Sequence, residues 1–228
     1  MLNKKADIVI AVKCAPEERI LRDIKKAGLG AVELYLSKAI MADLKKVIKL
    51  CRGFTFRYAI HAPSDSFEPE KLADLAKAVK AEIVVFHNTY WEDEWERIIR
   101  NFNGISANLC IENTYSIHEP LKFMRRFNLG RCLDLEHFQM ECLGIYEDEF
   151  IRAINQASHI HLTGYVCGSK LWHTHIHRSA KHNFYMLGLL KKAGYSGFVV
   201  SEAKTSLQTY SEFKKLNAFY HKGRSKTS

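Results

Sequence analysis

The chain has 228 residues, 47% of them hydrophobic, and carries 34 Lys and Arg against 25 Asp and Glu, a formal net charge of +9. No apolar run reaches membrane-spanning length, and Met-Leu-Asn-Lys-Lys-Ala-Asp leads into a strand-like run without the apolar core of a signal peptide, so a cytoplasmic protein with no membrane partner is expected. The six cysteines are scattered with no Cys-x-x-Cys pair, which excludes a disulfide framework in favour of buried thiols.

The length allows one large domain or two small ones, and periodicity decides between them. The first apolar run, Asp7 to Cys14, is a strand followed by a helix from Glu17 to Ala27 that Gly28 stops. Ala31 to Leu36 is the second strand, with an amphipathic helix from Ile40 to Cys51. Phe56 to Pro63 is the third, ending on His61, with a loop and a helix from Pro69 to Lys80. Glu82 to Asn88 is the fourth, ending on His87, followed by a helix from Trp91. Asn108 to Asn113 is the fifth, ending on Glu112, with a helix from Glu119 to Phe127 closed by Gly130.

The sixth strand runs into Arg-Cys-Leu-Asp-Leu-Glu-His-Phe, residues 131 to 138, and breaks at Asp134 and His137. A helix from Asp148 to Ala157 follows. His159 to Thr163, carrying His161, is the seventh, then a histidine-bearing loop and a helix from Asn183 to Ala193. Gly197 to Ala203, carrying Glu202, is the eighth, and a last helix covers Ser206 to Tyr220. The basic tail, residues 223 to 228, is expected to be disordered.

Eight strand-helix units at roughly 25-residue spacing predict a single-domain α/β protein, a (β/α)8 TIM barrel over residues 1 to 222. A doubly wound open sheet is the rival, but it places its site at one switch point, whereas polar residues here end strands three through eight. In a barrel those ends share one mouth. His61, His87, Glu112, Asp134, His137, His161 and Glu202 would then meet there, a donor set suited to Zn, Mn or Co as divalent ions.

A lone histidine such as His61 is ordinarily a satisfied core or capping residue. Carboxylates inside apolar strands, as at Glu112, Asp134 and Glu202, are harder to explain away, because burial requires a cation or a proton. Glu33 obeys the same logic and has Lys13 as a candidate partner; Glu136 is either in register with Asp134 or a solvated rim residue. In the loop 164 to 182, His173, His175 and His177 alternate as in an extended strand and would point together. With Arg178 they would hold a further metal or an anionic or hydroxyl-rich substrate. Basic pairs at Lys25-Lys26, Lys45-Lys46, Arg125-Arg126 and Lys191-Lys192 fall where last helical turns are expected. Cations suit the helix dipole there, and this weakens the case for nucleic acid.

With these residues in place the chain resembles the xylose isomerase-like TIM-barrel superfamily, which contains sugar isomerases and epimerases and apurinic/apyrimidinic endonucleases of the endonuclease IV type. The resemblance implies that Glu112, Asp134, His161 and Glu202 hold a divalent ion, that Glu112 and Glu202 are acid and base, and that His137 contacts a substrate oxygen. The endonuclease pattern adds His61 and His87 as ligands of another ion, and His137 with His175 as candidates for a third. There, histidine stands where that pattern has aspartate. Glu33, Asn88, Trp172, His173, His177 and Arg178 are the expected substrate contacts.

Two activities follow from the resemblance. One is a metal-dependent isomerase or epimerase of a sugar or sugar phosphate, working through an enediolate. The alternative is a phosphodiesterase with two or three ions, whose partner would be nucleic acid. A barrel that binds a sugar without turning it over is a third class, disfavoured because the four ligand positions are complete. Assembly into a homo-oligomer is left open.

Overall fold

The computed structural model describes residues 7–114, 120–141 and 147–225. Eight parallel strands follow one another in sequence order: β1 (Ile8–Cys14), β2 (Ala31–Tyr35), β3 (Arg57–His61), β4 (Ile83–His87), β5 (Asn108–Glu112), β6 (Gly130–Asp134), β7 (Ala157–Leu162) and β8 (Gly197–Ser201). β8 pairs back onto β1, with Val12 opposite Ser201, and closes the barrel. Around it lie α1 (Glu18–Lys26), α2 (Lys38–Met41), α3 (Leu44–Arg52), α4 (Pro69–Val79), α5 (Glu92–Asn101), α6 (Leu121–Phe127), α7 (Leu135–Glu141), α8 (Glu147–Ile154), α9 (Ala180–Lys192) and α10 (Tyr210–Ser225).

Alternation along each strand divides the core in two. Outward residues such as Leu34, Ile60, Phe86, Ile111, Leu133 and Ile160 pack with helix residues including Leu21, Leu75, Trp95 and Phe213 in the larger cluster. Inward residues Ala11, Ala31, Ala59, Val85, Cys110, Cys132 and Val200 form a smaller one inside the barrel. Two residues further along the same inward faces come Lys13, Glu33, His61, His87, Glu112, Asp134 and Glu202. The strand period therefore stacks a polar layer on a layer of small apolar side chains, toward the C-terminal ends.

Several local expectations are corrected. The helix expected from Ile40 to Cys51 is broken in two, because Asp43 caps α3 by accepting from the Lys46 amide. Lys45-Lys46 therefore lies in a first turn, not a last one. Gly130 does not close α6; Asn128, at φ 52°, does. Gly130 opens β6, where a Cβ would meet Ser158 Oγ at 2.8 Å and Cys110 Sγ at 2.9 Å.

Ala157 begins β7 rather than ending a helix. Residues 135 to 138 are the start of α7, not a continuing strand. The last helix continues to Ser225, through part of the segment expected to be disordered. Glu119, Cys142 and residues 226–228 lie outside the described residues. Cys14, Cys51, Cys110 and Cys132 are buried thiols, and no helix among the described residues is long and apolar enough to cross a membrane.

Candidate metal centre

The Asp-x-x-His spacing has a local structural cause. β6 ends on Asp134 and α7 starts at the next residue, and Asp134 Oδ1 accepts from the His137 amide at 2.8 Å, satisfying one of the helix's unpaired donors. The cap brings His137 back over the strand end. Asn113, just past β5, extends the pairing: its Oδ1 accepts from the Asp134 amide at 2.8 Å and its Nδ2 donates to the Asp134 carbonyl at 3.1 Å. His137 Nδ1 donates to the Asn113 carbonyl at 2.9 Å, which leaves Nε2 as the nitrogen turned away from the backbone.

His161 is the hub of the mouth. Its Nδ1 is 2.8 Å from Glu112 Oε1, 3.3 Å from Glu202 Oε2 and 3.7 Å from Asp134 Oδ2, while its Nε2 is 3.1 Å from the Glu33 carboxylate. Glu112 Oε2 is also 3.1 Å from His61 Nε2 and 3.0 Å from His87 Nε2. Lys13 Nζ donates to Glu202 Oε1 at 2.9 Å.

Burial disfavours every charge here, and the neighbours decide the outcome. Around Glu112, burial opposes ionisation, but His161, by its charge and its hydrogen bond, holds the carboxyl well below the usual range. Glu202 is likewise held down against burial by Lys13 and then His161. Burial opposes charge on His161, yet the adjoining Glu33 and Glu112 carboxylates raise its imidazole well above the ordinary value. His61 goes the other way, lowered by burial and then by the Lys13 ammonium.

Among the described residues, one ligand atom from each of Glu112, Asp134, His161 and Glu202 falls within 4.8 Å of the others, and the same holds for His61, His87 and Glu112. Donors around an ion at about 2.1 Å stand about 3.0 to 3.4 Å from one another. His161 Nδ1 stands 2.8 Å, 3.3 Å and 3.7 Å from the three carboxylates of the first set, and Glu112 Oε2 3.1 Å and 3.0 Å from the two imidazoles of the second, so small side-chain shifts would seat an ion.

Tautomers sharpen the fit. His61 Nδ1 faces the Ala62 carbonyl at 3.2 Å, and a carbonyl can only accept, so a neutral His61 turns the lone pair of Nε2 toward Glu112 Oε2. Two lone pairs facing each other inside a barrel call for a cation between them. Glu202 Oε2 is buried without a hydrogen-bond donor, a second opening for a positive ligand. These residues fit a divalent ion.

The remaining candidates separate. Glu33 is fully buried beneath the mouth, hydrogen-bonded to His159 and His161, and out of substrate reach. Asn88 lies half-buried just past β4 with its Oδ1 unpaired. The histidine loop is not an extended strand: His173 has φ 42° and residues Ile176–Ser179 form a 3-10 turn, so the His173 ring turns away while the His175 and His177 rings stay stacked with centroids 5.9 Å apart.

His173 is on the mouth side, its amide donating to Glu136 Oε2 at 3.1 Å, and Trp172 stacks on Tyr165 at 4.2 Å. His175 lies outside the barrel wall, between Ser201 Oγ at 3.0 Å and the Leu207 carbonyl at 3.2 Å, because Ser201 faces outward where Glu202 faces in. His177 and Arg178 pair with Glu212 of α10 at 3.2 Å and 2.8 Å. The structure therefore does not bring His175, His177 or Arg178 to the cluster. Glu136 is no solvated rim residue: it is buried, accepts from Thr163 Oγ1 at 2.6 Å, and has its carboxyl pushed up by burial.

Sequence reasoning missed Lys13 as a member of the mouth and His159 as the partner of Glu33. Both were signalled by the two-residue period, Lys13 following Ala11 and His159 preceding His161 on inward faces.

A sequence comparison with curated proteins finds no match. Among solved structures, the D-allulose 3-epimerase of Methylomonas sp. superposes with a TM-score of 0.66 at 13% identity, covering 96% of this chain and 98% of that one. The phosphoribosyl anthranilate isomerase of Thermotoga maritima gives 0.56 at 12% identity, over 94% and 99% of the two chains. An uncharacterized protein from Parabacteroides distasonis ATCC 8503 gives 0.59 at 15%, over 95% and 99%. At these identities the likeness is one of fold. The family model described as xylose isomerase-like TIM barrel matches residues 21–216, and the chain belongs to that family.

Proposed function

We propose that the protein is a divalent-metal-dependent isomerase or epimerase of a sugar-like substrate. The observation that carries this reading is the pair of glutamates flanking His161 Nδ1, Glu112 at 2.8 Å and Glu202 at 3.3 Å, with Asp134 completing the donor set. A bound divalent ion supplies Lewis acidity that makes the C–H next to a substrate carbonyl removable at neutral pH. Glu112, Asp134, His161 and Glu202 would hold it.

Glu202 is the base: Lys13 fixes Oε1, and Oε2, which would face the ion with one lone pair, keeps the other for the substrate proton. Glu112 would relay to the neighbouring carbon or the opposite face a proton drawn from solvent through the half-buried His87, whose Nε2 is 3.0 Å from Glu112 Oε2, and Glu202 would release the abstracted proton to solvent to reset the site. His137, fixed through Nδ1, presents Nε2 to a substrate oxygen, and Trp172, His173 and Asn88 line the approach.

Incubating the protein with a panel of ketoses and ketose phosphates in D2O tests this. Deuterium at the carbon beside the carbonyl, lost with chelator and in Glu202→Gln, is expected. A lack of exchange in every substrate, together with chelator-sensitive cleavage of an oligonucleotide at an abasic site, would overturn it.

The second activity, a phosphodiesterase with more than one ion, is favoured by one observation: His61 and His87 both converge on Glu112 Oε2, a ligand set that a one-ion isomerase does not need.

A further inference from the structure

Glu33 is a carboxylate with no solvent exposure, on the inward face of β2 two residues beyond Ala31 of the small apolar layer. Such a group is retained only with partners, and it has two. His159 Nε2 is 2.6 Å from Oε2 and His161 Nε2 is 3.1 Å from the same oxygen. A carboxylate accepts, so both rings must donate from Nε2. The Lys13 ammonium, 4.0 Å from Oε1, adds charge balance without a hydrogen bond.

On the other edge of the His161 ring, Nδ1 faces Glu112, Glu202 and Asp134. Each of those three would by itself favour a proton on Nδ1, the form in which the ring has no lone pair to offer there. Glu33 opposes them from the Nε2 side.

We propose that Glu33 is a positioning residue that holds the proton of His161 on Nε2, so that Nδ1 presents its lone pair to the divalent ion shared with Glu112, Asp134 and Glu202. It rests on the metal reading above and assigns Glu33 a place behind a ligand instead of against substrate. The carboxylate behind the ring also orients it and raises its basicity, effects that in other proteins change metal affinity by about 10- to 100-fold. His159 acts one step further back, by occupying the second lone pair of Glu33 Oε2 and keeping the carboxylate from turning away.

The test uses the full chain and Zn2+, with affinity measured by competition against a chromogenic chelator and the ring state of His161 read from long-range 1H–15N correlations of the zinc-loaded protein. Glu33→Leu is expected to bind Zn2+ about tenfold or more weakly, with Glu33→Gln in between because the amide oxygen can still accept. In the wild type, His161 is expected as the Nε2–H form with Nδ1 on the metal.

Equal affinity in wild type and Glu33→Leu, or a wild-type spectrum with the proton on Nδ1, would overturn the assignment. The spectrum decides alone if Glu33→Leu does not fold. Wild-type protein that binds no Zn2+ at all removes the metal reading and this assignment together, an outcome distinct from a wild type that binds and a variant that binds as well.

Discussion

Lys13 and Glu202 are 189 residues apart in sequence, and the Lys13 ammonium is 2.9 Å from Glu202 Oε1. The contact follows from closure of the barrel: Val12 is in register with Ser201, so the next residue on each strand faces inward side by side at the β1–β8 seam. Burial opposes charge on Lys13, but Glu202, Glu112 and Glu33 raise its ammonium above the ordinary value. The mouth thus has a resident cation that repels any divalent ion placed among the same carboxylates. Lys13→Met is expected to bind Mn2+ at least about tenfold more tightly and to turn over more slowly, since Glu202 loses the contact that orients it. Calorimetric Mn2+ titration checks the first effect and steady-state rates the second; affinity and turnover falling together would mean that Lys13 is only structural.

Glu112 receives three imidazoles, and His87 is the most exposed of them. If the isomerase reading holds, His87 tunes Glu112 without holding the ion. Elemental analysis of His87→Ala is expected to give the same metal content as wild type, while Glu112→Gln loses it. A preparation of His87→Ala that has lost one ion and kept another would shift the assignment to the phosphodiesterase.

His137 has Nδ1 committed to the Asn113 carbonyl and contributes to none of the ligand sets found among the described residues. Its Nε2 is left for substrate. His137→Ala is expected to raise KM about tenfold while leaving metal content intact, as read from saturation kinetics beside elemental analysis. Loss of the ion in this variant would make His137 a ligand.

His175 lies outside the barrel wall, and burial first and the neighbouring His177 second lower its pKa from 6.5 to about 4. Between those values the unfolded chain takes up a proton that the folded ring refuses, so this ring's contribution to stability is present above pH 6.5 and lost as pH falls toward 4. His175→Gln is expected to flatten the pH dependence of urea stability in that window, by at most about 1.4 kcal/mol per pH unit, with divalent binding unchanged. A variant with wild-type pH dependence and weakened metal binding would place His175 in the metal centre after all.

The barrel was legible because apolar runs and helical stretches alternate along the whole chain, and the mouth because its polar residues come at strand ends. Three kinds of feature were not. The histidine loop shows alternation in sequence, yet Glu136 holds the His173 imidazole while Ser201 and Glu212 hold those of His175 and His177 outside the wall, and partners contributed by distant segments leave no local mark. The start of α7 was hidden because Leu135-Glu136 continues the strand's alternation, and only the cap at Asp134 reveals the change of geometry. The pairing of Glu33 with His159 spans 126 residues, and period two gives the face but not the depth at which two inward residues meet.

Divalent-ion binding by wild type and Asp134→Asn, measured by calorimetry with Mn2+ on the purified full chain, tests the central claim most directly, because Asp134 belongs to the four-donor set and to no other. The account predicts one tight equivalent in wild type, weakened at least about 100-fold in the variant with its fold intact. Wild type that takes up no ion, or a variant that binds as tightly as wild type, would contradict it.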